Sequence, residues 1–165
     1  IKCNVIRDLP ILDWIAQDAT EEHLEEMITA CVALKRDVVE KDEYDLKGIR
    51  NILNVGHTVA HAIEKCSNYS VSHGHAVGTG MIVEAEIAHL LHLCTKETAE
   101  RLRSAVTRFH LPIPIPWCPE DLVEAMKSDK KNRDSRIVFE LPLSLGHCEE
   151  VRLEASQVRT LLAQL

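Results

Sequence analysis

The sequence predicts a mainly α-helical domain with a small pair of β-strands near its end. Apolar residues recur at helical spacing through several long stretches, while residues typical of strands are confined to two short stretches after residue 136. No internal repeat or low-complexity segment interrupts this order. With 165 residues, 45% of them hydrophobic, the chain is long enough to form one domain with its own core.

The first helix is expected over residues 21–42, after Thr20, which is suited to an N-cap position. Lys35 lies on or near the apolar stripe of this helix. Either its aliphatic stem packs while the ammonium reaches solvent, or the ammonium points into a site. Residues 42–48 are interpreted as a turn into the next helix.

A second helix is expected from Arg50 to Glu64, with apolar residues along one side. At 100° per residue, its other side gathers polar groups within an arc of about 80°. These residues are Arg50, Asn54, His57, His61 and Glu64. Guanidinium, amide and imidazole groups hold metals and anionic substrates, so this face is a candidate binding site.

A third helix is expected from Gly74 to about Leu93. It contains Gly78 and Gly80, which allow a neighbouring element to approach closely. Charged and histidine side chains interrupt its apolar run, which favours a buried helix over a membrane span.

The remaining elements follow from local signals. Thr95 is expected to cap a helix over residues 96–110, and alternate prolines make residues 111–116 an extended connector. Pro119 suits the first turn of a short helix. Residues 137–141 and 151–154 are expected to pair as strands, with Pro142 weakening the first, and Ser156 is expected to cap a final helix.

Four of the nine histidines lie within nineteen residues, at His57, His61, His73 and His75. Imidazole suits zinc, copper, iron or nickel, and the i, i+4 spacing of His57 and His61 lets both reach one ion. The alternative is that one or two of these histidines only pack between helices. His75 is a possible further ligand, or simply a residue at a solvated helix start.

Charge and cysteine content exclude several classes. A net charge of −7 argues against nucleic-acid binding, although residues 127–133 form a basic patch that could attract a phosphorylated substrate. Six dispersed cysteines without a CxxC pair exclude a zinc ribbon and a dithiol redox motif, and favour reduced thiols in a cytosolic protein. No signal peptide or membrane segment is apparent. Because Ile1-Lys2 lacks an initiator methionine, we expect the chain to be a fragment.

Several motifs in order resemble one family. LNVGHTVAHAIE is followed by SHGHAVGTGMIVEAEIA, preceded by VVEKDEYDLKGIR and trailed by SDKKNRDSRIVFELPLSLG. Together, from Leu34 to Gly146, they are similar to the C-terminal half of the 3-dehydroquinate synthases. The resemblance implies a fragment of a two-domain enzyme, and a homodimer.

The resemblance also implies a reaction with zinc and NAD as cofactors. The substrate is 3-deoxy-arabino-heptulosonate 7-phosphate, a sugar phosphate that carries a carboxylate. A hydroxyl is oxidised transiently, phosphate leaves by β-elimination, the ketone is reduced, and the opened ring closes by aldol addition. No glycine-rich turn after a strand occurs here, so NAD would be bound mainly by an N-terminal domain absent from this chain.

By resemblance, His57 and His73 match the two zinc-binding histidines. The third family ligand, a glutamate, would lie just before Ile1, so this chain alone should hold zinc incompletely. Residues expected to take part in the chemistry are His61, Lys35 and Lys2. Residues expected to bind substrate are Arg50, Asn54, Lys130 and Lys131, although only one of the two lysines is expected to align with the family contact.

Three alternatives remain open at this point. A sister cyclase that forms 2-deoxy-scyllo-inosose or a valiolone would share the zinc and NAD chemistry and differ in substrate contacts. A helical metal-dependent phosphohydrolase is disfavoured because no His-Asp doublet accompanies the histidines. A non-enzymatic helical interaction domain would use the histidines only for packing.

Overall fold

The computed structural model describes residues 1–128 and 136–165. In those residues the helices are α1 (Lys2–Ile6), α2 (Ile11–Ala16), α3 (Leu24–Lys41), the 3₁₀ helix (Ile49–Asn54), α4 (His57–Cys66), α5 (His73–Leu90), α6 (Lys96–Arg108), α7 (Pro119–Lys127) and α8 (Ala155–Leu162). The strands are β1 (Arg136–Ser144) and β2 (His147–Glu154). The predicted fold class, mainly helical with a strand pair near the end, is confirmed. Lys130 and Lys131 lie outside the described residues.

The core is built around α5, which packs against α4, α6 and β1. Twelve of its 18 residues are buried, so the prediction of a buried third helix is confirmed. The helix ends three residues earlier than expected, at Leu90, and His92 adopts a left-handed conformation with φ 59° soon afterwards. In the described part of the chain, no helix combines the length and apolar character needed to span a bilayer.

The single helix expected from Arg50 to Glu64 is wrong. The chain forms a 3₁₀ helix through Asn54, and Gly56 then takes a left-handed conformation with φ 81° and ψ −10° before α4 begins at His57. A left-handed residue ends the helical path because its carbonyl and amide no longer point along the preceding axis. Arg50 and Asn54 are therefore not on the same helix as the histidines.

Two predicted caps are also wrong. The first long helix begins at Leu24, because residues 20–23 form a turn, so Thr20 does not cap it. The last helix is capped by Glu154 in a reciprocal pair with Gln157, two residues before the expected Ser156. In contrast, Thr95 caps α6 by accepting from the Thr98 amide, as predicted.

The strand pair is longer than expected at the first strand's end. β1 and β2 run antiparallel from Arg136 opposite Glu154, and β1 continues past Pro142, where the register shifts. Proline is tolerated because the described sheet has two strands, so one side of each strand carries no ladder partner. Pro119 occupies the first turn of α7, as predicted.

Two short helices were not predicted. α1 and α2 have 5 and 6 residues, too few for an apolar period to be recognised. Lys35 is exposed on α3 and does not lie on a buried stripe. All six cysteines are free, with Cys94 and Cys148 buried and Cys118 exposed.

Candidate metal and substrate site

Helix α4 places His57 at its first position, directly after the left-handed Gly56. The start of this helix is held by a side chain from α5, because the Glu84 carboxylate accepts a hydrogen bond of 2.6 Å from the Gly56 amide. Glu84 is fully buried. One sequence signal exists for this residue, because Glu84 and Glu86 interrupt a largely apolar helix, but that signal does not indicate a contact with the start of α4.

Two glycines allow α4 and α5 to meet closely. A side chain at Gly56 would place its Cβ 2.6 Å from Met81 Cγ and 3.0 Å from the carbonyl oxygen of Val77. A Cβ at Gly80 would overlap the Gly56 carbonyl oxygen. Close approach through Gly80, which was predicted in general terms, therefore has a specific partner in the turn that precedes His57.

Three imidazoles meet where α4 and α5 begin. The ring centroids of His57 and His73 are 5.3 Å apart, with their planes inclined by 68°. The His61 ring lies 5.8 Å from the His57 ring. The structure thus brings His57, His61 and His73 together from two helices, although they are distributed over seventeen residues of sequence.

Both predicted zinc-binding histidines have the Nδ1 atom engaged. His57 Nδ1 lies 3.0 Å from the carbonyl oxygen of Val55, and His73 Nδ1 lies 2.9 Å from a carboxylate oxygen of Glu64. When a carbonyl or carboxylate accepts from Nδ1–H, the proton is fixed there and Nε2 keeps its lone pair. This second contact is the usual support of a metal-binding histidine. Glu64 was placed on the polar face by its spacing, but its bond to His73 was not predicted.

The electrostatics favour a neutral His57 ring. Burial lowers the pKa of His57 to about 4, and positive charges at Lys2, His73 and His61 act in the same direction. The hydrogen bond to Val55 opposes this change without overcoming it. At neutral pH the imidazole is therefore in the unprotonated form that binds a metal ion.

Of the two predicted catalytic lysines, Lys2 lies on α1 close enough to act on His57, and Lys35 lies exposed on α3. Lys2 donates a hydrogen bond of 2.9 Å to the carbonyl oxygen of Leu53. Burial lowers the pKa of Lys2, and the positive charge of Lys35 contributes to the decrease. Lys2 and Lys35 are thus close enough to interact, and Lys2 also acts on His57.

The predicted substrate-binding residues Arg50 and Asn54 lie on the 3₁₀ helix. The loop before it is organised by the buried Asp42 carboxylate, which accepts from the amides of Leu46 at 2.9 Å, Lys47 at 3.1 Å and Ile49 at 3.1 Å. The Asp42 contacts were not predicted, because a single aspartate at a helix end gives no signal of which amides it will accept from.

Among the contacts described at the start of α5, none links His75 to the three imidazoles. It is exposed in the first turn, with Nδ1 2.6 Å from the Ser72 hydroxyl oxygen. Within residues 1–128 and 136–165, no group of three or more His, Cys, Asp or Glu is arranged to hold a metal ion. The pairing of His57 and His73 on a metal stays a prediction from the family resemblance.

Comparison with known sequences gives one consistent family. The family model described as "3-dehydroquinate synthase C-terminal" matches residues 1–132. A 3-dehydroquinate synthase from Enterococcus faecalis is 41% identical over 168 residues, covering 98% of this chain and 47% of the relative. One from Pyrococcus abyssi is 43% identical over 122 residues, covering 74% of this chain and 36% of the relative. The chain spans about half the length, or less, of these curated relatives.

Solved structures share the fold at low sequence identity. A 2-deoxy-scyllo-inosose synthase, solved with carbaglucose-6-phosphate, NAD⁺ and Co²⁺, superposes with a TM-score of 0.80 at 21% identity, covering 99% of this chain and 48% of that chain. A 2-epi-5-epi-valiolone synthase from Streptomyces hygroscopicus subsp. jinggangensis, solved with NAD⁺ and Zn²⁺, gives a TM-score of 0.75 at 20% identity, with the same coverage. At this identity the likeness establishes the fold alone.

Proposed function

The chain belongs to the 3-dehydroquinate synthase family, and we propose that it forms the metal- and substrate-binding half of an enzyme with that activity. The observation that carries the proposal is the pair of imidazoles at the start of α4 and α5. His57 and His73 lie 5.3 Å apart by ring centroid, and each has its Nδ1 bonded to an acceptor. That arrangement leaves two Nε2 atoms for one ion.

We propose that His57 and His73 bind one divalent metal, zinc in the family, together with a carboxylate from outside these residues. Zinc commonly keeps three protein ligands and one open position at catalytic sites. When bound, such an ion supplies Lewis acidity toward a hydroxyl or carbonyl oxygen of the substrate. The chain's own contribution is to present two imidazoles in a fixed orientation.

The cationic residues around the histidines suit a substrate with two anionic groups. We propose that Lys2, Lys35 and Arg50, with Asn54, bind the carboxylate and phosphate of 3-deoxy-arabino-heptulosonate 7-phosphate. Lys2 and Lys35 are close to each other, so an anion between them would relieve their mutual repulsion. Lys130 and Lys131 remain proposed contacts that lie outside the described residues.

His61 is the proposed proton-handling group. Its ring lies 5.8 Å from that of His57 on the same helix, one turn further along α4. It is thereby near the proposed metal ligands without being one of the two imidazoles that the family pairs on zinc. An imidazole can both accept and donate a proton, so His61 is proposed to exchange a proton with the substrate.

NAD does not fit the residues described here. The described sheet is an antiparallel pair, and no strand in it leads through a glycine-rich turn into a helix of the dinucleotide-binding kind. Hydride transfer is therefore assigned to no residue of this chain. We propose that NAD is bound by a separate N-terminal domain, as the family resemblance implies.

A sister cyclase activity is the second candidate, supported by the fold likeness to the 2-deoxy-scyllo-inosose and valiolone synthases. Sequence favours the 3-dehydroquinate synthases, because identity to the curated relatives with that name is 35–45%, against 20–21% for the sister enzymes. The three activities use different sugar phosphates, so substrate choice separates them.

The test is a chimera that joins the N-terminal half of the Enterococcus faecalis relative to this chain. Phosphate release and the carbocyclic product are measured with each of the three sugar phosphates, in the presence of NAD and zinc. The intact Enterococcus enzyme serves as the control for assay conditions. A chimera with His57→Ala serves as the matched inactive variant, because it removes one proposed metal ligand and no other group.

The proposal predicts phosphate release and 3-dehydroquinate formation from 3-deoxy-arabino-heptulosonate 7-phosphate, abolished in the His57→Ala chimera. A folded chimera that binds NAD and zinc but turns over only another sugar phosphate contradicts the substrate assignment and supports the sister activity. Phosphate release without NAD and without a carbocycle contradicts both and supports a phosphohydrolase.

A further inference from the structure

Glu84 is a fully buried carboxylate at the centre of α5, and the proposed chemistry gives it no part. Its two oxygens accept from different amides: Oε2 from Gly56 at 2.6 Å, and Oε1 from Val59 at 3.4 Å. The Thr58 amide contributes a third bond. A carboxylate in an apolar interior is costly unless its oxygens are bonded, so these contacts account for its presence there.

All three amides belong to the first turn of α4. The first amides of a helix have no partner in a preceding turn and need acceptors from elsewhere. Gly56 has no side chain, and α4 has no side-chain cap of its own. Glu84 therefore supplies from a neighbouring helix the cap that the local sequence lacks.

His57 lies between two of the amides that Glu84 binds. Its ring is oriented by a 3.0 Å contact between Nδ1 and the carbonyl oxygen of Val55, which lies on the other side of Gly56. The backbone from Val55 to Val59 must keep its present path for that contact to exist. Glu84 holds this path through hydrogen bonds, while Gly80 leaves room for the Gly56 carbonyl against α5.

From this geometry we propose that Glu84 is a positioning residue, which fixes the first turn of α4 and thereby sets the direction of the His57 Nε2 atom. The inference rests on the proposed function, in which His57 is a metal ligand. It adds a requirement that the ligand pair alone does not contain: the metal geometry depends on a carboxylate that touches neither imidazole nor metal.

The experiment uses the 165-residue chain with three substitutions in α5. Glu84→Leu removes both acceptors at similar volume, and Glu84→Gln keeps one oxygen for the Gly56 amide. Glu86→Gln is the matched control, because Glu86 is two residues further along the same helix and pairs with Arg103 at 2.8 Å, away from α4.

Two readouts are compared for each variant. The first is the pair of ring nitrogen signals of His57 by ¹⁵N NMR, with the amide exchange rates of Gly56 and Val59, all without metal. The second is the dissociation constant for Co²⁺, followed by the loss of the His57 and His73 ring signals on titration. The first readout does not depend on a metal, whereas the second does.

We expect Glu84→Leu to shift the His57 ring nitrogens, speed exchange of the Gly56 amide and weaken Co²⁺ binding by about ten-fold or more, the usual size for loss of a supporting contact at a metal site. Glu84→Gln should restore most of the affinity, because one acceptor for the Gly56 amide remains. Glu86→Gln should match the wild-type chain in both readouts.

A folded Glu84→Leu variant with wild-type His57 ring signals overturns the inference. If that variant does not fold, the wild-type chain still decides the matter: a Gly56 amide that exchanges as fast as an exposed amide contradicts the Glu84 bond. Because two imidazoles without the third ligand should bind Co²⁺ weakly, the titration is carried to a large excess of Co²⁺. Failure of that excess to affect the His57 and His73 signals in the wild-type chain overturns the proposed metal role instead. In that case, the role of Glu84 in orienting His57 is tested by the metal-free ring signals alone.

Discussion

Helices α3 and α5 both have 18 residues, yet they meet the rest of the molecule in opposite ways. Twelve residues of α5 are buried, whereas α3 buries only Leu34 and Val38. Leu24, Ile28 and Val32 of α3 are more than half exposed. Two helices of equal length are therefore packed into the core to very different extents, and the number of buried positions along each helix sets that extent.

The contrast divides the candidate site into two walls. The metal wall, defined as His57 and His73, lies at the first positions of α4 and α5, two helices with buried apolar faces, and the start of α4 is held by the buried bond from the Gly56 amide to Glu84. The cation wall, defined as Lys35 on α3 and Arg50 on the 3₁₀ helix, is mounted on elements with exposed faces or on a loop held by Asp42. The first wall should be sensitive to changes in the core, and the second should tolerate changes on its own outer surface.

The largest effect is expected from Gly80→Val, which would disrupt the close contact between α5 and the turn that precedes His57. The new side chain would overlap the Gly56 carbonyl oxygen. Because this oxygen is a backbone atom, relief of the overlap would require the main chain before α4 to shift. We expect a loss of about 4 kcal/mol or more in the free energy of unfolding, or no folded protein. Urea denaturation followed by circular dichroism measures it, with Gly74→Ala as control because that position has open space around it. A loss below about 1 kcal/mol in the free energy of unfolding would contradict the close contact at Gly80.

A matched pair of isoleucines tests the comparison itself. Ile87 on α5 is 0% exposed and Ile28 on α3 is 55% exposed. Truncation to alanine should cost about 2–5 kcal/mol at Ile87, because it leaves a cavity, and less than about 0.5 kcal/mol at Ile28. Both are read from urea midpoints at constant slope. Similar losses at the two positions would show that the outer face of α3 is packed in solution.

The sequence could predict much of this fold, because α3, α5, α6 and α7 carry strong apolar periods or clear caps. It could not predict the break at Gly56. The stretch around that residue keeps a helical apolar period, and the left-handed turn becomes favourable only when α5 offers Gly80 and Glu84 as partners. A tertiary contact thus overrides a local pattern.

The candidate site could be predicted from sequence to about the same extent as the fold. The histidines stand out by clustering, and the family resemblance paired His57 with His73 where spacing alone suggested His61. The hydrogen-bond partners of Glu64 and Asp42 could not be predicted from sequence, because those partners lie beyond loops whose conformation depends on the fold. Glu84 left a weaker signal, one of two carboxylates in a largely apolar helix, and its role depends on the helix packed against it.

A smaller effect is expected with pH, and it sharpens the account of the metal wall. Burial raises the pKa of Glu84 to about 8, with the nearby Glu140 carboxylate adding to the increase and the bonds from α4 opposing it. The folded chain then holds a proton that the unfolded chain has released. This stabilisation is complete below the ordinary glutamate pKa and is lost as pH rises toward 8.

His57 acts with the opposite sign, because its pKa is lowered from 6.5 to about 4, so its effect ends near pH 6.5. Between pH 6.5 and 8 the wild-type chain should lose on the order of 1–2 kcal/mol relative to Glu84→Gln, whose amide does not titrate. Urea melts of both proteins across this range measure the difference. Parallel pH profiles would contradict the raised pKa.

The most direct test of the account is whether His57 and His73 share one ion. In the wild-type chain, titration with Co²⁺ should remove the ring signals of both histidines together, along one saturation curve. Either single alanine variant should weaken the effect on the remaining histidine. Loss of one ring signal without the other, or a His57→Ala variant in which His73 responds to Co²⁺ as in the wild type, would contradict the shared site.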